Sequence, residues 1–136
     1  MENNSAPPGA PHSVGKKYIL IAEDDKSYAR VYEFKLEKEG YEVAIVGNGD
    51  ELLKAAREKK PNLILLDLIM PVKDGFVTLE ELKKDPKLKE VPVMVFSSLG
   101  QEEDKMRVMK SGAADYFVKS NVSIQEIVER VKEYIR

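Results

Sequence analysis

The 136-residue chain contains no cysteine and only one histidine, His12. The first absence excludes disulfides, thiolate nucleophiles and Cys-ligated zinc or iron–sulfur centres. A lone histidine cannot build a His-rich metal site or a Ser-His-Asp triad. Long apolar runs are also missing. The longest, such as Leu63 to Leu66 and Val93 to Phe96, are far too short to span a bilayer. The N-terminus has no apolar signal core, so a soluble cytoplasmic protein with no membrane contact is expected. Neither sign of charge is in excess: 22 Lys and Arg stand against 24 Asp and Glu, a net charge of −2. That balance offers no basic field for nucleic acid. What is present is ordinary for one globular domain, with 43% hydrophobic and 34% charged residues. Carboxylate chemistry stands out among what is left.

Residues 1–16 carry prolines and glycines without a helical or strand period, and read as a flexible arm holding His12. From Tyr18 a strand–helix alternation sets in. Tyr18 to Ala22, Tyr41 to Val46, Leu63 to Leu66, Pro92 to Phe96 and Tyr116 to Val118 read as short strands. Helices are expected over about Lys26 to Glu39, with Ala29, Tyr32, Phe34 and Leu36 as apolar positions, and over Asp50 to Lys59. Three more are expected over Phe76 to Lys84, Glu102 to Ser111, and from Ser123 onward with Glu126 completing a capping box. Near-continuous apolar strands alternating with helices predict an α/β, three-layer doubly wound fold with a parallel sheet. Strand order does not follow from the pattern.

Ligands of open parallel sheets bind beyond the carboxyl ends of the strands. There the chain places Glu23 and Asp24 after the first strand, Asp67 after the third, Ser97 after the fourth and Lys119 after the fifth. Singly, these residues have ordinary roles as helix caps, turn residues or solvated charges. Together they make a coherent constellation. Clustered carboxylates repel unless a cation joins them, and hard oxygens without Cys or a usable His suit Mg²⁺. Beside a lysine and a hydroxyl, such a centre binds phosphate. Asp67 is the candidate nucleophile, and its attack on a phosphoryl donor gives an acyl phosphate.

These residues resemble the receiver domain of two-component response regulators, the CheY-like superfamily. The strings are Ile19-Leu20-Ile21-Ala22-Glu23-Asp24-Asp25, Leu66-Asp67-Leu68-Ile69-Met70-Pro71 with Asp74-Gly75, Val91-Pro92-Val93 leading to Ser97, and Gly112-Ala113-Ala114-Asp115-Tyr116 leading to Lys119. The resemblance covers residues 17–136. It implies a flavodoxin-like (βα)5 fold with strand order 2-1-3-4-5. It implies Asp67 as phosphoacceptor, and Glu23, Asp24, Asp67 and the Ile69 backbone carbonyl as the Mg²⁺ site, with Asp24 a direct ligand and Asp25 unassigned. Ser97 matches the switch hydroxyl, Tyr116 the aromatic switch that swings inward on activation, and Lys119 the phosphate-pairing lysine. The implied donor is a histidine kinase or histidine phosphotransfer protein. The implied output is a protein target bound around the fourth helix, fifth strand and fifth helix, by a monomer or a phosphorylation-dependent dimer. With the fifth helix reaching Arg136, a stand-alone switch without a DNA-binding output domain is expected. Where the family usually has proline after the lysine, often cis, this chain has Ser120. Ile69 and Leu99, two residues beyond Asp67 and Ser97, are apolar and cannot orient a water, which predicts a long-lived phosphoryl group. A haloacid-dehalogenase-type phosphatase would need a second acid at the place of Ile69. A non-phosphorylated receiver-like interaction module is the remaining alternative.

Overall fold

The computed structural model describes residues 16–135. Of the expected arm over residues 1–16, all but Lys16 lies outside them, His12 included. The element order is β1 (Tyr18–Ala22), α1 (Lys26–Lys38), β2 (Glu42–Val46), α2 (Gly49–Glu58), β3 (Leu63–Asp67), α3 (Gly75–Lys84), β4 (Val93–Ser97), α4 (Glu102–Lys110), β5 (Asp115–Val118), a 3-10 turn (Lys119–Asn121) and α5 (Ile124–Tyr134). The five strands form one parallel sheet of order β2-β1-β3-β4-β5. The flavodoxin-like order implied by the resemblance is therefore the observed one.

Period-two alternation splits the central strands between two cores. Leu20, Ala22, Ile64, Leu66, Val93 and Val95 pack with α2 and α3 residues such as Leu52, Ala56, Leu79 and Leu82. Ile19, Ile21, Leu63, Leu65, Met94 and Phe96 pack on the other face with Tyr32 and Leu36 of α1 and Ile127, Val128 and Val131 of α5. Covering both faces is why β1, β3 and β4 are buried along their whole length. Among the described residues, no helix is long and apolar enough to cross a membrane.

Local chemistry sets the helix ends. Asn48 and Asp74 accept from the Glu51 and Val77 backbone N–H groups, which starts α2 and α3 one residue earlier than the sequence pattern suggests. The Ser123–Glu126 capping box forms as expected. Phe34 departs from expectation: it is 59% exposed, because one hundred degrees per residue turns it away from the Ala29–Tyr32–Leu36 stripe. The 3-10 turn after β5 was not legible in the pattern.

Candidate functional site

Each strand end arrives at the site by a different local device. β1 passes into Glu23, which donates its backbone N–H to Val46 O of β2 and so remains tied to the sheet edge. Asp25 caps α1 by accepting from Tyr28 N, a structural role that separates it from Glu23 and Asp24. β3 ends on Asp67 in register with Phe96 of β4. The chain then turns through a loop clipped by Gly75 N donating to Leu68 O at 2.9 Å. Gly75 is required there: a Cβ would sit 2.5 Å from Asp67 O and from Leu68 Cα. Within this loop Val72 has φ 68°, and Lys73 N donates to Pro71 O, a tight γ-turn carried by a β-branched residue.

The structure brings together the acidic residues picked out in the sequence. Glu23, Asp24 and Asp67 each offer a carboxylate oxygen, and all three atoms lie within 4.8 Å of one another. Glu23 is 2% and Asp67 3% exposed, whereas Asp24 faces solvent. Lys119 reaches across from the turn after β5, with Nζ donating to Glu23 Oε1 at 2.6 Å and to Asp67 Oδ2 at 3.2 Å. Asp67 Oδ1 accepts from Ile69 N, and Glu23 Oε2 from Asp25 N. Burial pushes the Glu23 carboxyl up to about 7, and Lys119 and the Asp25 N–H relieve only part of that. Burial pulls the Lys119 ammonium down, but Glu23 and Asp67 outweigh it and hold the group above its ordinary value. The cluster is thus a set of hard oxygens short of positive charge. That donor set fits Mg²⁺ and offers nothing to a soft metal.

Ser97, at the end of β4, is fully buried, and its Oγ accepts from Leu99 N at 3.1 Å. The Tyr116 hydroxyl of β5 donates to the carbonyl of the same residue, Leu99. One loop residue therefore links the candidate switch hydroxyl to the candidate switch aromatic. Ile69 is 52% exposed beside Asp67. Among the described residues there is no cis peptide bond, so Lys119–Ser120 is trans and lies within the 3-10 turn.

One participant escaped the sequence reading. Tyr28, one turn into α1, lays its ring face 4.4 Å from Lys119 Nζ. Its only sequence signal is its place three residues after the Asp25 cap, and an aromatic in a helix ordinarily signals core.

The family model "Response regulator receiver domain" matches residues 19–132. The "DNA-binding dual master transcriptional regulator RpaA" of Synechocystis sp. is 35% identical over 118 residues, 87% of this chain and 48% of that protein. The chain spans about half the length of the curated relatives it matches. Among solved structures, the phosphorylated cyanobacterial phytochrome response regulator RcpA is 33% identical with a TM-score of 0.76, over 88% of this chain and 91% of that one. The receiver domain of the Francisella response regulator 1452 is 31% identical with a TM-score of 0.80, over 88% and 96%. With the parallel sheet, the acidic cluster and the match over residues 19–132 agreeing, this chain belongs to the response regulator receiver domain family of two-component signalling.

Proposed function

We propose that Asp67 accepts a phosphoryl group from the phosphohistidine of a histidine kinase or phosphotransfer protein, and that the resulting acyl phosphate switches a protein-binding surface. The observation that carries this reading is the Lys119 ammonium bridging the buried carboxylates of Glu23 and Asp67, with the buried Ser97 at the end of the neighbouring strand β4. A carboxylate oxygen of Asp67 forms the new P–O bond as the donor P–N bond breaks, and the departing imidazole nitrogen keeps the electron pair. Glu23, Asp24, Asp67 and the Ile69 carbonyl would hold Mg²⁺, which neutralises charge on the phosphoryl oxygens. Ile69 N keeps Asp67 Oδ1 fixed through the attack. Lys119 and the Ser97 O–H take the phosphoryl oxygens that face the sheet. The domain is in this reading a switch, with no chemistry beyond its own phosphorylation and dephosphorylation.

Transmission follows from the Leu99 linkage. Ser97 Oγ accepts from Leu99 N while its own hydrogen can donate to a phosphoryl oxygen, so turning the hydroxyl moves the Leu99 peptide. Tyr116 is bonded to the other side of that residue and reports the movement to the surface formed by α4, β5 and α5. α4 carries the exposed Met106 and Met109, adaptable apolar side chains that suit contact with a protein target.

The test is incubation with Mg²⁺ and a small phosphodonor, followed by intact mass, with Asp67→Ala alongside. A stable label lost in Asp67→Ala is expected. Continuous turnover of phosphate esters would instead indicate a phosphatase, and no label an inert interaction module.

A further inference from the structure

The Lys119 ammonium has three N–H donors, and the carboxylates take two: Glu23 Oε1 at 2.6 Å and Asp67 Oδ2 at 3.2 Å. Its remaining side faces aromatic carbon. The Tyr28 ring centroid lies 4.4 Å from Nζ and that of Phe96 5.2 Å. The rings themselves are braced. Tyr32 sits 5.2 Å from Tyr28, with its hydroxyl 3.4 Å from the Tyr28 hydroxyl, and meets Phe96 edge-on at 5.2 Å. Tyr28 is further tied by its own backbone N–H to the Asp25 cap. Tyr32 and Phe96 are fully buried core residues; Tyr28 is half-buried and touches the site directly.

We infer that Tyr28 is a positioning residue for Lys119, its ring face holding the ammonium over Asp67 so that the lysine is in place when the phosphoryl group arrives. The inference rests on the proposed phosphoacceptor reading. The physical need is plain. Lys119 directly follows the edge strand β5 and opens the short 3-10 turn, on a long side chain with several rotatable bonds. Its two carboxylate partners cannot hold it through the reaction, because both Glu23 and Asp67 belong to the proposed metal and phosphoryl site. The ring quadrupole attracts a partly desolvated cation without competing for oxygen ligands. It therefore keeps the ammonium in the site while its hydrogen bonds are exchanged from carboxylate to phosphoryl oxygen. Being face-directed, the attraction needs the ring and not the hydroxyl.

The test compares wild type, Tyr28→Leu, Tyr28→Phe and Tyr28→Gln, each also in a Lys119→Ala background. Rates of Asp67 labelling by acetyl phosphate are measured against donor concentration at saturating Mg²⁺. Tyr28→Leu and Tyr28→Gln are expected to lower the labelling efficiency about fivefold to thirtyfold, the factor a desolvated cation–π contact is worth. Tyr28→Phe is expected to restore it, and none of the three to matter once Lys119 is alanine. NMR supplies the readout that a merely structural role would not move: the Lys119 Hε protons, shifted by the ring current in wild type and Tyr28→Phe, return toward ordinary values in Tyr28→Leu. Equal labelling in wild type, Tyr28→Leu and Tyr28→Gln would overturn the inference. So would a Tyr28→Leu defect of the same size without Lys119. A wild type that takes no label at Asp67 while its Lys119 ring-current shift is present would overturn the phosphoacceptor reading instead, and with it the role given to the ring.

Discussion

Glu23→Gln isolates the electrostatic cost of the acidic cluster. Glu23 is 2% exposed, and burial lifts its carboxyl to about 7, against an ordinary value of 4.5. In metal-free protein the folded state therefore keeps a proton on Glu23 that the unfolded chain loses near its ordinary value. Between those two limits the native state binds more protons, so stability falls as pH rises. The contribution is fully present below about pH 4.5 and is lost as pH passes through about 7. A shift of this size corresponds to about 3 kcal/mol at full strength. Part of this is already lost at pH 5, above the ordinary value, which leaves about 1–3 kcal/mol to be lost between pH 5 and pH 8. Glutamine keeps the shape and still accepts from Lys119, but carries no charge to desolvate. Urea unfolding of metal-free protein from pH 5 to 8 should show wild type losing that amount relative to Glu23→Gln. Saturating Mg²⁺ should return the advantage to wild type. Identical pH slopes for the two proteins, or a wild type that gains stability relative to Glu23→Gln across this range, would refute the reasoning.

Further predictions follow from the loops that flank Asp67. Ile69→Asn combined with Leu99→Glu places polar groups where a water could attack the acyl phosphate, and should speed dephosphorylation about tenfold or more in a timed decay assay. Gly75→Ala drives a Cβ to 2.5 Å from Asp67 O and Leu68 Cα, both backbone, and should lower stability by about 2–3 kcal/mol in denaturant unfolding. Val72 holds φ 68° in a γ-turn while exposed, so Val72→Gly should stabilise by about 1 kcal/mol, read as a raised midpoint of thermal unfolding.

Much of this architecture was written into the residue pattern. β1, β3 and β4 are covered on both faces, so they appear as unbroken apolar runs, and the residue at each carboxyl end announces itself by being polar. Helix starts were off by a residue where a side chain does the capping, as Asn48 and Asp74 do, because the pattern registers apolar period and not Asx hydrogen bonds. Phe34 is apolar yet exposed, because apolar character alone does not fix azimuth on a helix. The site acids were legible because strand ends converge in a parallel sheet. Tyr28 was not, because its contact with Lys119 joins α1 to the turn after β5, residues far apart in the chain, and no local rule encodes that distance. The stand-alone expectation drew on chain length, and relatives about twice as long give it no support.

The central claim concerns one bond, between phosphorus and an oxygen of Asp67. Hydride reduction of the freshly phosphorylated protein converts an aspartyl phosphate to homoserine, and peptide mapping then locates it. Phosphorylation of Asp67 yields homoserine at position 67 alone, dependent on Mg²⁺ and on phosphodonor. Homoserine at Asp24, a reduced Glu23, or no reduced residue in a protein exposed to donor and Mg²⁺ would contradict it.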